Sequence, residues 1–186
     1  MRMFTGIALS EDAREKVLRE LKPFRKAGTP IHWTDERNIH LTLKFIGEID
    51  DAQVPEVAAA LLAHSPATAP FRLSLRGFGK FPAGDELHVF WAGVEECPPL
   101  HALYSSVEDA LAPLGIARET RPFHPHLTLG RNRARYNFKG LFARLAECEG
   151  RFLAEWTVSA FQLFASRLTA SGPIHTILKE ISLAQS

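Results

Sequence analysis

HLTLKF, residues 40–45, lies within IHWTDERNIHLTLKF, residues 31–45, and its reading decides the fold. Polar and apolar residues alternate, which is the pattern of a half-buried strand whose residues two apart share a face. His40 and Thr42 then project together, while Leu41, Leu43 and Phe45 point to the other side and supply core. The same four letters return at 126–129 inside RPFHPHLTLGR, residues 121–131, where Leu127 and Leu129 back His126 and Thr128. With 8 His, 23 Leu and 10 Thr in 186 residues, shuffling gives about 0.01 copies of HLTL, so two copies mark an internal repeat.

Working outward, FTGIAL (residues 4–9) predicts a first strand, with Ser10 as N-cap of a helix over 11–26. A strand is expected over 38–46, a helix through 56–63, and neighbouring strands at 71–81 and 87–94 joined by a turn containing Pro82, Ala83, Gly84 and Asp85. A helix over 99–112 precedes the second HLTL strand, and a short helix is expected near 140–147. Two closing strands, near 154–166 and 174–183, are linked by LTASGP, residues 168–173. Mixed strands and helices with several hairpins predict an α+β fold of antiparallel sheet. No linker divides the chain, so residues 1–186 read as one domain of two pseudo-symmetric lobes with flanking helices and a central cleft, each lobe holding one HLTL strand.

An apolar content of 46% with 23% charged residues is that of a soluble globular protein. No run is long and apolar enough for a membrane span, and the N-terminus does not read as a secretory signal. Cys97 and Cys148 lack metal-ligand spacing. Two free thiols fit a reducing, cytoplasmic setting. The net charge of +1 conceals an uneven distribution: residues 120–146 hold no acid but contain Arg121, Arg131, Arg133, Arg135, Lys139 and Arg144. A local basic field suits a phosphate-bearing partner. Because the second HLTL lies in that block, such a partner is expected mainly against the second lobe.

Two histidines facing one another across a cleft suit in-line displacement at phosphorus. A neutral imidazole takes a proton from water, and an imidazolium gives one to the leaving oxygen. Threonine hydroxyls donate to non-bridging oxygens, and a nearby arginine adds charge-assisted stabilisation. This chemistry requires neither metal nor cofactor.

The paired motifs HLTLKFIG and FHPHLTLGR, together with FTGIAL, Trp33, Phe45 and Gly47, resemble the 2H phosphoesterases. Within them the chain is most similar to the RNA 2′,3′-cyclic phosphodiesterases, also called 2′-5′ RNA ligases. That resemblance implies a bilobal fold and metal-independent opening of 2′,3′-cyclic phosphate RNA ends to a 2′-phosphate. It also implies reversible 2′-5′ joining of RNA ends, with 2′-5′ linked RNA as a partner. It assigns His40 as proton donor, His126 as proton acceptor, and Thr42 and Thr128 as phosphate ligands. It also places a phosphate-binding arginine at Arg131, although strand parity turns that residue toward the leucine side unless the strand ends or twists there. By the same parity Lys44 shares the face of His40 and Thr42 and is a phosphate-binding candidate. Arg133, Arg135, Tyr136, Phe138 and Lys139 interleave cations with aromatics, a pattern able to follow a backbone and stack a base.

A monomer is expected. Two rival readings stay open: a non-catalytic module that binds RNA ends or nucleotides, and a metallohydrolase using the His124/His126 pair. His32, His64, His88, His101 and His175 show no partner pattern and read as surface or packing residues.

Overall fold

Nine strands of one antiparallel sheet organise the computed structural model, which describes residues 1–64, 68–134, 136–170 and 172–183. The strands are β1 (Arg2–Ala8), β2 (His32–Trp33), β3 (His40–Glu48), β4 (Phe71–Phe81), β5 (Val89–Val94), β6 (His126–Arg131), β7 (Phe152–Val158), β8 (Ala160–Thr169) and β9 (Gly172–Ser182). Four α-helices accompany them among the described residues: α1 (Glu11–Arg25), α2 (Val54–His64), α3 (Pro98–Leu111) and α4 (Lys139–Glu147). Ser10 caps α1, its hydroxyl accepting from the Ala13 amide at 3.2 Å, with Glu11 and Asp12 in the first turn complementing the helix dipole.

The strand order β7-β4-β5-β6-β3-β1-β8-β9 is two four-stranded halves placed back to back. β6 and β3, the two HLTL strands, are the innermost strand of each half. They meet antiparallel at a single pair, Leu41 with Leu127. Beyond that point β3 diverges, and β2 takes over the free edge of β6, pairing Trp33 with Gly130 and His32 with Arg131. This close approach requires a small residue at 130. A Cβ on Gly130 would stand 2.5 Å from Ile31 Cγ2 and 3.1 Å from the Trp33 ring. The α+β, two-lobed architecture expected from the sequence is the observed one, with the two lobes sharing a continuous curled sheet.

Helices cover one face of that sheet. Phe24 of α1 packs its ring against Phe78 and Phe90 in the second half, and α3 packs beneath β3 in the first. Leu41, Leu43, Leu127 and Leu129 point into this covered side and are buried in a core that runs through both halves. Cys97 and Cys148 are free and buried. Among the described residues no helix is long and apolar enough to cross a membrane.

Strand β2 was not expected, and one expected strand is divided. The single strand expected near 154–166 is two, β7 and β8, separated only by Ser159. The extended segment changes partners there, pairing with β4 up to Val158 and with β1 and β9 from Ala160. Polar and apolar residues alternate through Trp156, Val158 and Ala160, and the pattern resumes one residue out of phase at Phe161 and Leu163. Ser171, within the expected LTASGP turn, lies outside the described residues.

Candidate active site

Antiparallel pairing of Leu41 with Leu127 fixes the arrangement of the repeated motifs. Extending that register by one residue each way sets His40 toward Thr128 and Thr42 toward His126, all on the face opposite the leucines. The two histidines are then diagonal neighbours, about 7–8 Å apart in a regular ladder. That is the scale of a phosphate with a hydrogen bond on each side.

Both imidazoles are held the same way. His40 Nδ1 lies 2.7 Å from the Asn38 carbonyl oxygen, and His126 Nδ1 lies 2.8 Å from that of His124. A carbonyl only accepts, so each Nδ1 carries the proton and each Nε2 is the atom left for proton exchange. His40 Nε2 is 3.0 Å from the Thr42 hydroxyl. On the second strand the Thr128 carbonyl accepts from the Thr34 hydroxyl at 3.1 Å, fastening the segment after β2 to β6.

The surroundings of the two rings are unequal. His40 stacks on Phe4 at 4.7 Å, with Phe164 and His175 closing the cluster. His126 meets the edge of Phe81 at 5.2 Å and lies near Trp91 at 6.5 Å, a more open setting. Burial drives the His40 pKa down to about 4; the Asn38 carbonyl opposes the shift and His175 adds to it. Burial also lowers His126, against the support of the His124 carbonyl, with Arg131 and His124 contributing to the lowering. Both rings are therefore predominantly neutral in the free protein at neutral pH.

Two matching β-bulges correct the parity argument for Lys44 and Arg131. On β3, Thr42 lies opposite Gly6 and Lys44 opposite Thr5, so Leu43 is an extra residue. On β6, Thr128 lies opposite Trp91 and Gly130 opposite Phe90, so Leu129 is extra. An extra residue flips every later side chain to the other face. Lys44 consequently turns away from His40 into the covered side, where its Nζ lies 2.7 Å from Glu108 and 2.8 Å from the Ala117 carbonyl oxygen. It is 5% exposed and does not reach the cleft. Phe45, expected in the core, is 65% exposed and faces the cleft near Phe4. Arg131 holds the corresponding place on β6, exposed at the strand end on the His126 side.

The downstream candidates separate. Phe138 is 4% exposed and packs against Phe142 before α4, so it is a core residue and not a stacking platform. Tyr136 is half-exposed beside it, Arg133 is exposed, and Arg135 lies outside the described residues. Buried Asn132 ties this loop down, donating to the Leu87 and Ala134 carbonyls. The basic block is partly committed elsewhere: Arg121 pairs with Glu119, and Arg144 donates to the Pro23 carbonyl. His124 is exposed and meets His126 through its backbone. Among the described residues no three His, Cys, Asp or Glu side chains gather as metal ligands. Sequence reasoning missed the aromatic walls, Phe4, Phe81, Trp91 and Phe164, whose only sequence signal is strand alternation. It also missed His175.

Comparison with known proteins bears on the family and the fold. Residues 10–169 match the model of a family described as the 2′-5′ RNA ligase superfamily. The chain is 32% identical over 180 residues to an RNA 2′,3′-cyclic phosphodiesterase of Thermotoga maritima, covering 97% of this chain and 94% of that one. An Aeropyrum pernix protein of the same name is 35% identical over 160 residues, or 86% and 90% of the two chains. Among solved structures, one from Thermus thermophilus superposes with a TM-score of 0.83 at 28% identity, covering 98% of each chain. E. coli LigT complexed with 3′-AMP superposes with a TM-score of 0.77 at 25% identity, over 99% of this chain and 98% of that one.

Proposed function

The chain belongs to the 2′-5′ RNA ligase superfamily, and on that footing we propose that it opens 2′,3′-cyclic phosphates at RNA ends, leaving a 2′-phosphate. The observation that carries the reading is the pair of Nδ1-anchored imidazoles. Each presents Nε2 from one of two antiparallel strands that pair at Leu41 and Leu127, and the Thr42 hydroxyl lies 3.0 Å from His40 Nε2. His126 Nε2 takes a proton from water as the water oxygen attacks phosphorus. The bond from phosphorus to the 3′ oxygen breaks, and that oxygen takes the proton held on His40 Nε2. Solvent then restores both rings. Thr42 and Thr128 donate to the non-bridging oxygens, and Arg131 supplies the positive charge on the His126 side. Exposed Arg133 and Tyr136 extend this side toward the RNA strand. With a 5′ hydroxyl in place of water as the attacking group, the same displacement breaks the bond to the 3′ oxygen and joins the two ends through a 2′-5′ bond.

His40 is neutral in the free protein, so its acid form arises as the anionic phosphate arrives beside it. The singly protonated pair of the free enzyme prevails between about 4 and the lowered value of His126, below 6.5. The pH profile of kcat/KM, which reports the free enzyme, should be a bell centred below pH 6.5. The kcat profile, measured with phosphate bound, should lie at higher pH. A kcat/KM maximum above pH 7.5 would contradict the assignment.

Arg131→Ala should lower kcat/KM about 10²-fold with unchanged folding, because a charge-assisted contact to the phosphate is lost while the strand end stays exposed. Arg131→Lys should recover part of that loss. Turnover of adenosine 2′,3′-cyclic phosphate in excess chelator tests the proposal as a whole. Binding without any product would leave only an RNA-end binding module, and activity restored by zinc or manganese would favour the metallohydrolase.

A further inference from the structure

His175 lies on β9, 135 residues beyond His40 in the chain, yet the two rings are 5.3 Å apart and perpendicular. Its ring also meets the edge of Phe4 at 5.0 Å. Within residues 173–180 it is the one position that is not exposed, so β9 turns this side chain inward while its neighbours face solvent. The strand is latched in place by Asn38. That residue's side-chain amide donates to the Pro173 carbonyl at 2.7 Å, and its own carbonyl orients His40. One residue therefore sets the positions of both histidines.

Nδ1 of His175 is buried and finds no hydrogen-bond partner among the described residues, which leaves Nε2 as the nitrogen able to meet a ligand. An orphaned buried N–H is rarer than an under-satisfied acceptor. The ring is thus best accommodated with its lone pair buried on Nδ1 and its proton on Nε2. This tautomer is opposite to that of His40 and His126, whose Nδ1 atoms are committed to carbonyls. Burial lowers the His175 pKa, so the ring offers an uncharged donor.

We propose that His175 is a third functional histidine, whose Nε2–H donates a hydrogen bond to a ribose oxygen of the nucleotide on the His40 side of the cleft. The inference rests on the phosphodiesterase reading, in which His40 faces the departing 3′ oxygen, so the ribose bearing that oxygen lies beside His175. The group binds substrate and transfers no proton. It distinguishes a nucleotide end from a bare phosphate ester.

His175→Phe keeps the aromatic contact with Phe4 and His40 but removes both nitrogens. His175→Tyr keeps a ring and returns an O–H donor at its outer end. The Phe variant should weaken binding of adenosine 2′-phosphate about tenfold and raise KM for adenosine 2′,3′-cyclic phosphate by a similar factor. Its kcat should stay within about threefold, and its Tm should not fall, since a buried unpaired nitrogen disappears. The Tyr variant should return Kd and KM to within about threefold of wild type. Phe-variant values within about twofold of wild type would overturn the proposal. Equal losses in the Phe and Tyr variants would also overturn it by assigning the effect to packing, and so would a wild-type protein that does not bind adenosine 2′-phosphate. If the wild type binds that nucleotide but turns nothing over, the phosphodiesterase reading fails while the Kd comparison still decides His175.

Discussion

Alanine at either His40 or His126 should lower kcat on a 2′,3′-cyclic phosphate about 10²–10⁴-fold, because each substitution deletes one of the two proton transfers. The double variant should lose little more than the worse single one, since the two groups act on the same displacement. The environments of the rings make the stability consequences unequal. His40 fills an aromatic cluster with Phe4 and Phe164, so His40→Ala leaves a gap and should lower Tm. His126 sits at the more open wall of Phe81 and Trp91, and its alanine variant should unfold close to wild type. Steady-state kinetics with matched thermal melts separate the two effects. Near-wild-type turnover by either folded variant would remove that histidine from the chemistry.

Lys44→Met should destabilise the protein by about 3–5 kcal/mol, because it strands a buried carboxylate without its cation. The Lys44 and Glu108 side chains are 4% and 5% exposed and meet at 2.7 Å. Glu108 would lose the one ion pair it makes among the described residues. Replacing both partners, as Lys44→Met with Glu108→Leu, should recover most of the loss, since an apolar pair of similar volume suits the site. Urea unfolding of the two variants at pH 7 measures the difference. The double variant should retain its KM, because Lys44 points away from the cleft. A phosphate-binding lysine would give the reverse: normal stability for the single variant and a raised KM.

That contrast shows where alternation stops informing. The leucines of both HLTL copies define the covered face as the sequence indicates, and His40, Thr42, His126 and Thr128 share the opposite face. Parity fails at the next residue in both strands, because Leu43 and Leu129 are bulged. A bulge depends on how the partner strand pairs, and no residue type at 43 or 129 announces it. The failure is nonetheless regular. It turns Lys44 and Gly130 inward and Phe45 and Arg131 outward, so the repeat extends beyond the four shared letters.

Other features depend on contacts distant in the chain. Phe138 reads as a stacking candidate in a basic, aromatic segment, yet packing against Phe142 makes it core. His175 has no partner pattern locally and gains one only when the β8–β9 hairpin folds over β1. The split between β7 and β8 at Ser159 follows the exchange of partners from β4 to β1 and β9. Periodicity therefore recovers elements and faces, while bulges, strand exchange and the walls of the cleft belong to tertiary pairing.

The central claim is that His40 and His126 open a cyclic phosphate between the phosphorus and the 3′ oxygen without a metal. Its most direct test is phosphorus NMR of an oligoribonucleotide ending in a 2′,3′-cyclic phosphate, incubated with the protein in excess chelator. The expected product carries its terminal phosphate on the 2′ oxygen, formed by wild-type protein and not at a comparable rate by His40→Ala or His126→Ala. A 3′-phosphate product, or an unchanged cyclic phosphate at high enzyme concentration, would contradict it.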